Sequence, residues 1–174
     1  SIEDGGVEKN LYIIANYLST KLGKINLITY DSSKKNFFNK NIKFINPYFN
    51  FIDFKNRYPK YLLCLFTLFK ILIFNKNFLV LSFQANIFAI ILTKILNVKI
   101  ISRSNSSSAG WSKNFFKQIV FNYFFNKADN IIVNSFDFKK EMDKKYRINT
   151  TCILNPFEFK KIKKLSQQKF INVF

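Results

Sequence analysis

The stretch from Phe78 to Ser102 reads FLVLSFQANIFAIILTKILNVKIIS, and its hydrophobic period changes twice. Phe78 to Phe83 is a short apolar run, suited to a strand buried on both faces. Ala85 to Leu96 is apolar almost all round, which predicts a deeply packed helix. Val98 to Ser102 is strand-like again. Two strands joined by a helical crossover pair in parallel, because a direct hairpin is too short to reverse twice.

The alternation extends outward in both directions. Upstream, Val7, Leu11, Ile14, Ala15, Leu18 and Leu22 recur at three- and four-residue spacing and predict one apolar helix stripe. Asp4 is placed to cap that helix, with Gly5-Gly6 at its first turn. Ile25 to Tyr30 and Ile42 to Ile45 read as strands separated by a polar loop, and the second closes at Asn46-Pro47. Lys60 to Phe74 reads as a helix. Its most apolar part, Tyr61 to Phe74, contains Lys70 and falls short of the roughly 20 apolar residues that span a bilayer.

Downstream, Lys113 to Asn126 is amphipathic. Phe115, Phe116, Ile119, Val120, Tyr123 and Phe124 are expected on its buried face. Asn130 to Asn134 reads as a strand, Phe136 to Tyr146 as a Lys-rich helix capped by Ser135, and Thr151 to Leu154 as a last strand ended by Asn155-Pro156. The fold class is therefore α/β: a Rossmann-like, mostly parallel sheet with helices on both faces. Ligands of such sheets sit at the carboxyl ends of strands. That singles out the loops at Ile2–Gly6, Ser82–Asn86, Arg103–Gly110, Asn134–Ser135 and Asn155–Pro156.

Composition narrows the chemistry. The chain of 174 residues has room for one ordinary domain. It contains no His, so His-dependent zinc sites and Ser-His-Asp triads are excluded within it. Cys64 and Cys152 form no CxxC, and a reducing compartment is the default. Lys and Arg exceed Asp and Glu by 18 charges. Phe, Lys, Asn and Ile are all encoded by A/T-rich codons, so part of that excess is compositional. A charge selected for an anionic partner is the competing reading.

The loops carry the candidate residues. Gly5 and Gly6 let a backbone approach a ligand closely, and a helix N-terminus favours phosphate. The plain reading is a tight turn, and neither a Walker A loop nor a GxGxxG is present. Arg103-Ser104-Asn105 offers a planar charged fork with hydroxyl and amide groups, suited to phosphate, carboxylate or sugar hydroxyls. Its plain reading is a solvated loop. Asn134-Ser135 and Asn155-Pro156 read by themselves as a cap and a turn. The clusters Lys139-Lys140, Lys144-Lys145-Arg147 and Lys160-Lys161-Lys163-Lys164, with aromatics beside them, suit a solvated face or an anionic membrane. No Asp-x-Asp and no poised carboxylate pair is present.

In order along the chain, four segments resemble the N-terminal, acceptor-side domain of family 4 glycosyltransferases, which have the two-domain GT-B architecture. They are Gly5-Gly6-Val7-Glu8, Lys99-Ile100-Ile101-Ser102-Arg103-Ser104-Asn105, Ala128-Asp129-Asn130-Ile131-Ile132-Val133-Asn134-Ser135 and Ile153-Leu154-Asn155-Pro156. The resemblance implies a retaining, nucleotide-sugar-dependent hexosyl- or N-acetylhexosaminyl-transferase of cell-surface polysaccharide or glycolipid synthesis. Residues 1–168 would be its acceptor domain, lacking a first strand, and 169–174 the start of a donor-binding domain. That fragment alone would be inactive.

By the same resemblance, Gly5 and Gly6 would approach the donor phosphates, and Arg103, Ser104 and Asn105 would face the acceptor. Glu8, Gln84, Ser135 and Asn155 are weaker candidates. No cofactor and no obligatory metal are expected; the partners would be a nucleotide-sugar and a sugar or lipid-linked acceptor. The enzyme would be cytoplasmic and peripheral at the inner face of the membrane. A family His that contacts the donor sugar has no counterpart here. The alternative is a non-catalytic basic module binding anionic membrane or, less favoured, nucleic acid.

Overall fold

Gly23 lies just past the first helix with φ +82, a left-handed conformation that glycine adopts freely, and it ends that helix two residues before the first strand. The computed structural model describes residues 6–105 and 115–157, together with 163 and 166. Helix α1 (Gly6–Leu22) leads to strand β1 (Ile25–Ile28), a 3₁₀ turn (Lys35–Phe37) and strand β2 (Ile42–Ile45). Helix α2 (Arg57–Phe74), strand β3 (Leu79–Ser82), helix α3 (Asn86–Ile95) and strand β4 (Lys99–Arg103) follow. The described chain closes with α4 (Phe115–Phe125), β5 (Asn130–Val133), α5 (Phe136–Tyr146) and β6 (Thr151–Cys152).

All strand pairs are parallel, as expected of strands separated by crossovers. The chain is α/β with Rossmann-like topology. Its strands fall into two sheets, β1-β2 and β3-β4-β5-β6; no described strand joins them. In the larger sheet the spatial order follows the sequence order. Successive right-handed crossovers then place α3, α4 and α5 on one face. The side chains agree. Ile90 of α3, Ile100 of β4, Phe125 of α4, Val133 of β5 and Met142 of α5 form one buried cluster. Each such burial stabilises the fold by about 1.5–3 kcal/mol.

Local chemistry fixes the ends of α5. Ser135 accepts a hydrogen bond from the Phe138 N–H at 3.1 Å, Asp137 lies in the first turn, and Lys144 and Lys145 lie in the last. These charges complement the helix dipole. The start of the next strand is tied to α5 through Asp143. Its carboxylate accepts from the Thr150 N–H and hydroxyl, both at 2.8 Å, and from Lys139 at 2.6 Å.

The structure corrects three readings of burial. Helix α3 is not packed all round: Ala89, Ile90 and Thr93 are buried, but Phe88 and Ile95 are exposed. On α4 the expected face holds at Phe124 and fails at three positions, while the side chains of Phe115 and Phe116 lie outside the described residues. Ile119, Val120 and Tyr123 are exposed, while Phe125 is buried and Phe121 and Phe124 pack against the core. Phe occurs on both sides of that helix, so composition did not mark the side that meets α3. On α1, Leu22 is exposed and the buried positions are Ala15 and Ser19. Boundaries also move: α2 begins at Arg57 rather than Lys60, β1 ends at Ile28 and β6 at Cys152. Asp4, Gly5 and 106–110 lie outside the described residues, as do 158–162 and 167–174. Among the described residues no helix is long and apolar enough to cross a membrane.

Candidate functional site

The carboxyl end of β4 carries the most unusual group of the fold. Arg103, the last residue of that strand, is 2% exposed. Its Nη2 donates to Asn155 Oδ1 at 2.9 Å and lies 3.5 Å from the Ile153 carbonyl, both beyond β6. The guanidinium therefore crosses the end of β5 to reach the segment that follows β6. Phe83 lies beside it, with the guanidinium carbon 6.0 Å from the ring centre. Nε is buried without a hydrogen-bond partner. Burial lowers the Arg103 pKa below its ordinary value; an arginine nevertheless keeps its charge in proteins.

The residues around it are also underused. Ser102 Oγ, Ser104 Oγ and Asn105 Oδ1 are buried without partners. With Arg103 Nε they make four of the five such side-chain atoms among the described residues. Leaving a buried polar atom unpaired costs about 1–3 kcal/mol, so such a concentration at one strand end calls for a ligand or ordered water.

The backbone of this end is held from its neighbours. The Ser104 N–H donates to the Ile132 carbonyl at 2.8 Å, which extends the β4–β5 ladder. Asn105 Nδ2 donates to the Phe83 carbonyl at 3.2 Å. Asn86 Nδ2 donates to the Arg103 carbonyl at 2.9 Å, and Asn86 Oδ1 lies 2.8 Å from Ser82 Oγ. Between β3 and α3, Ala85 has φ 54. A left-handed conformation costs an alanine about 1–2 kcal/mol, and the Asn86 bonds sit on the next residue.

The sequence-derived candidates thus have definite places. Gln84 Nε2 lies 3.2 Å from Glu8 Oε1, which brings the first turn of α1 to the carboxyl end of β3. Phe83 connects that point to Asn105, and Arg103 connects it to Asn155. Gly6, Glu8, Gln84, Arg103, Ser104, Asn105 and Asn155 are therefore linked along one rim. Gly6 opens α1, and a Cβ built there would meet nothing within 4 Å. No close approach within the fold requires glycine at that position. Ser135 caps α5 and has no described bond to Arg103 or Asn155. Gly5 lies outside the described residues.

Two features escaped the sequence reading. Asn86 falls within the Ser82–Asn86 loop but is not named there as a candidate, although an amide at the first position after a strand–helix turn is well placed to bridge both. The carboxyl end of β1 was also left out. An open cleft of about 210 Å³ lies there, lined by Tyr30, Asp31, Ser32, Asp53 and Lys60 among others. Lys60 pairs with Asp53 at 3.6 Å and lies 5.6 Å from the centre of the Tyr30 ring. The strand-end rule that selected β4 applies equally to β1.

Of the two cysteines, Cys152 ends β6 and packs against the core cluster. Cys64 lies on α2, and burial pushes its thiol pKa up to about 11. Among the described residues no group of three His, Cys, Asp or Glu side chains is close enough to hold a metal ion. No known family model matches the chain, and no curated protein matches it.

Proposed function

We propose that the chain is the acceptor-binding domain of a retaining, nucleotide-sugar-dependent glycosyltransferase, acting in cell-surface polysaccharide or glycolipid synthesis. One observation carries this reading. The residues that resemble the family's acceptor-side segments lie together at the carboxyl edge of parallel strands, where Glu8 meets Gln84 and Arg103 meets Asn155. In this reading Arg103, Ser104 and Asn105 orient the acceptor, and Gly6 and Glu8 border the path to the donor. Electrostatic stabilisation of the diphosphate leaving group would come from backbone amides and basic residues. A second, donor-binding domain would complete the cleft. The test is incubation of this domain, joined to its donor domain, with a panel of nucleotide-sugars and a polyprenyl-linked acceptor. Transfer that falls at least tenfold in Arg103→Gln supports the reading, and no turnover with any donor opposes it.

A second reading is favoured by the outer face of α2. Tyr58, Leu62, Phe66 and Ile73 form an exposed stripe with Lys70, and Leu62 is 69% exposed. A basic and aromatic stripe suits an anionic bilayer better than nucleic acid, because the apolar side chains gain area on entering lipid. In that reading the domain is a non-catalytic membrane-binding module. Flotation with anionic and neutral vesicles separates the readings. Salt-sensitive binding by a chain that supports no transfer favours the module.

A further inference from the structure

The Arg103 guanidinium has five N–H donors, yet only Nη2 is hydrogen-bonded among the described residues. Both acceptors on Nη2 are neutral, an amide oxygen and a backbone carbonyl. No described carboxylate lies within ion-pair distance of this group, although Lys60, Lys94 and Lys139 each have one. Among the described residues, a charge that is 2% exposed thus has no ion-pair partner, while several that are far more accessible do. Burying an unpaired charge is among the most expensive arrangements a fold can hold. The centre of the Phe83 ring lies 6.0 Å from the guanidinium carbon, and Asn155 accepts from Nη2.

We propose that Arg103 is the seat of an oxyanion, so that the ligand of this rim carries a phosphate or carboxylate group bound at the guanidinium. The unpartnered Nε–H supplies one donor, and Nη2 on the same edge supplies the second by giving up its long 3.5 Å contact to Ile153, so the planar fork matches two oxygens of either group. Asn155 keeps the fork oriented without neutralising it. This deepens the sugar-transfer reading by making the acceptor anionic, and it rests on that reading only for the ligand's identity. Phosphate and carboxylate would come from different acceptors, a phosphate-bearing lipid or sugar and an acidic sugar respectively.

Calorimetric titration of the 174-residue chain with inorganic phosphate and, separately, acetate tests the seat at fixed ionic strength. The decisive variant is Asn155→Asp, which sets a carboxylate at the position of the present 2.9 Å contact. The wild type is expected to bind at least one of the two anions. Asn155→Asp is expected to bind it at least tenfold more weakly and to melt at a higher temperature without it. Phosphate binding points to a phosphorylated ligand and acetate binding to a carboxylated one. Lys144→Gln, on an exposed face, should leave binding unchanged. Should Asn155→Asp fail to fold, the Arg103 Nε–H resonance of the wild type reports the same event by shifting on titration. Absence of binding in the wild type, equal binding by folded Asn155→Asp, or an unmoved Nε–H signal overturns the proposal. Anion binding with no sugar transfer keeps the seat and removes the transferase. Transfer to a neutral acceptor with no anion binding does the reverse.

Discussion

The two sheets of this molecule are stabilised in different ways. Around β3–β6, aliphatic and aromatic side chains from three helices meet in one dry cluster, with Ile90, Ile100, Val133 and Met142 at 0% exposure. Around β1–β2 the buried hydrophobics among the described residues are Ala15, Tyr30 and Ile42, with Leu72 on α2, which packs on β1, outside the larger cluster. There the chain relies on stacked rings and amides. Tyr12 stacks on Phe37 with centroids 5.3 Å apart and meets Phe38 edge-on at 5.0 Å. Asn16 accepts the Asn39 N–H at 2.7 Å, and Asn46 donates to the Thr29 carbonyl at 2.8 Å. Directional contacts with one side in water are individually modest, whereas a void-free cluster penalises every missing methyl group. The candidate ligand rim lies on the sheet with the larger buried cluster.

The largest expected break is Ile100→Ala. It removes a fully buried side chain from the centre of the β3–β6 cluster and should cost about 3 kcal/mol in urea unfolding. A loss below about 1 kcal/mol would mean that the cluster is not the principal source of stability.

Acid should act on the same half. Burial raises the Asp129 carboxyl, but hydrogen bonds from Lys94 and the Ile100 N–H outweigh it and the net shift is downward from 3.8. Burial likewise raises Asp143, and bonds from Lys139 and Thr150 reverse it. A depressed folded pKa gives stability that is fully present above 3.8 and lost as pH falls through the lower folded value. Stability measured on a descending pH series should therefore fall below about pH 4, and Asp143→Asn should flatten that fall. An unchanged profile in the variant would remove Asp143 as a source.

Smaller effects sharpen the contrast. Ser135→Ala deletes the α5 cap and should cost about 1 kcal/mol. Phe37→Ala removes one exposed ring from the β1–β2 side and should cost about 0.5 kcal/mol, read by the same unfolding assay. If Phe37→Ala proved more damaging than Ile100→Ala, the comparison between the halves would be inverted.

Element order was legible because the hydrophobic period switches cleanly between strand and helix. β2 and α5 begin and end where their residues predict. Helix faces were less legible where Phe occupies several sides, as on α4, because ring burial there depends on which neighbour arrives. The split between β1-β2 and the larger sheet left no local signal either. At the rim, the strand-end rule found Arg103 and Asn155 separately. Their contact spans 52 residues of sequence and could come only from folding. Asn86 lay in a loop the rule selected, but its bridging role was not legible because one amide beside an apolar stretch resembles any other.

The claim that the carboxyl edge of β3–β6 is a ligand site is tested most directly by amide NMR during phosphate titration. The account predicts shifts concentrated at Phe83 to Asn86, Ser102 to Asn105 and Ile153 to Asn155. Shifts spread over the lysines of α5, with those three segments unmoved, would contradict it.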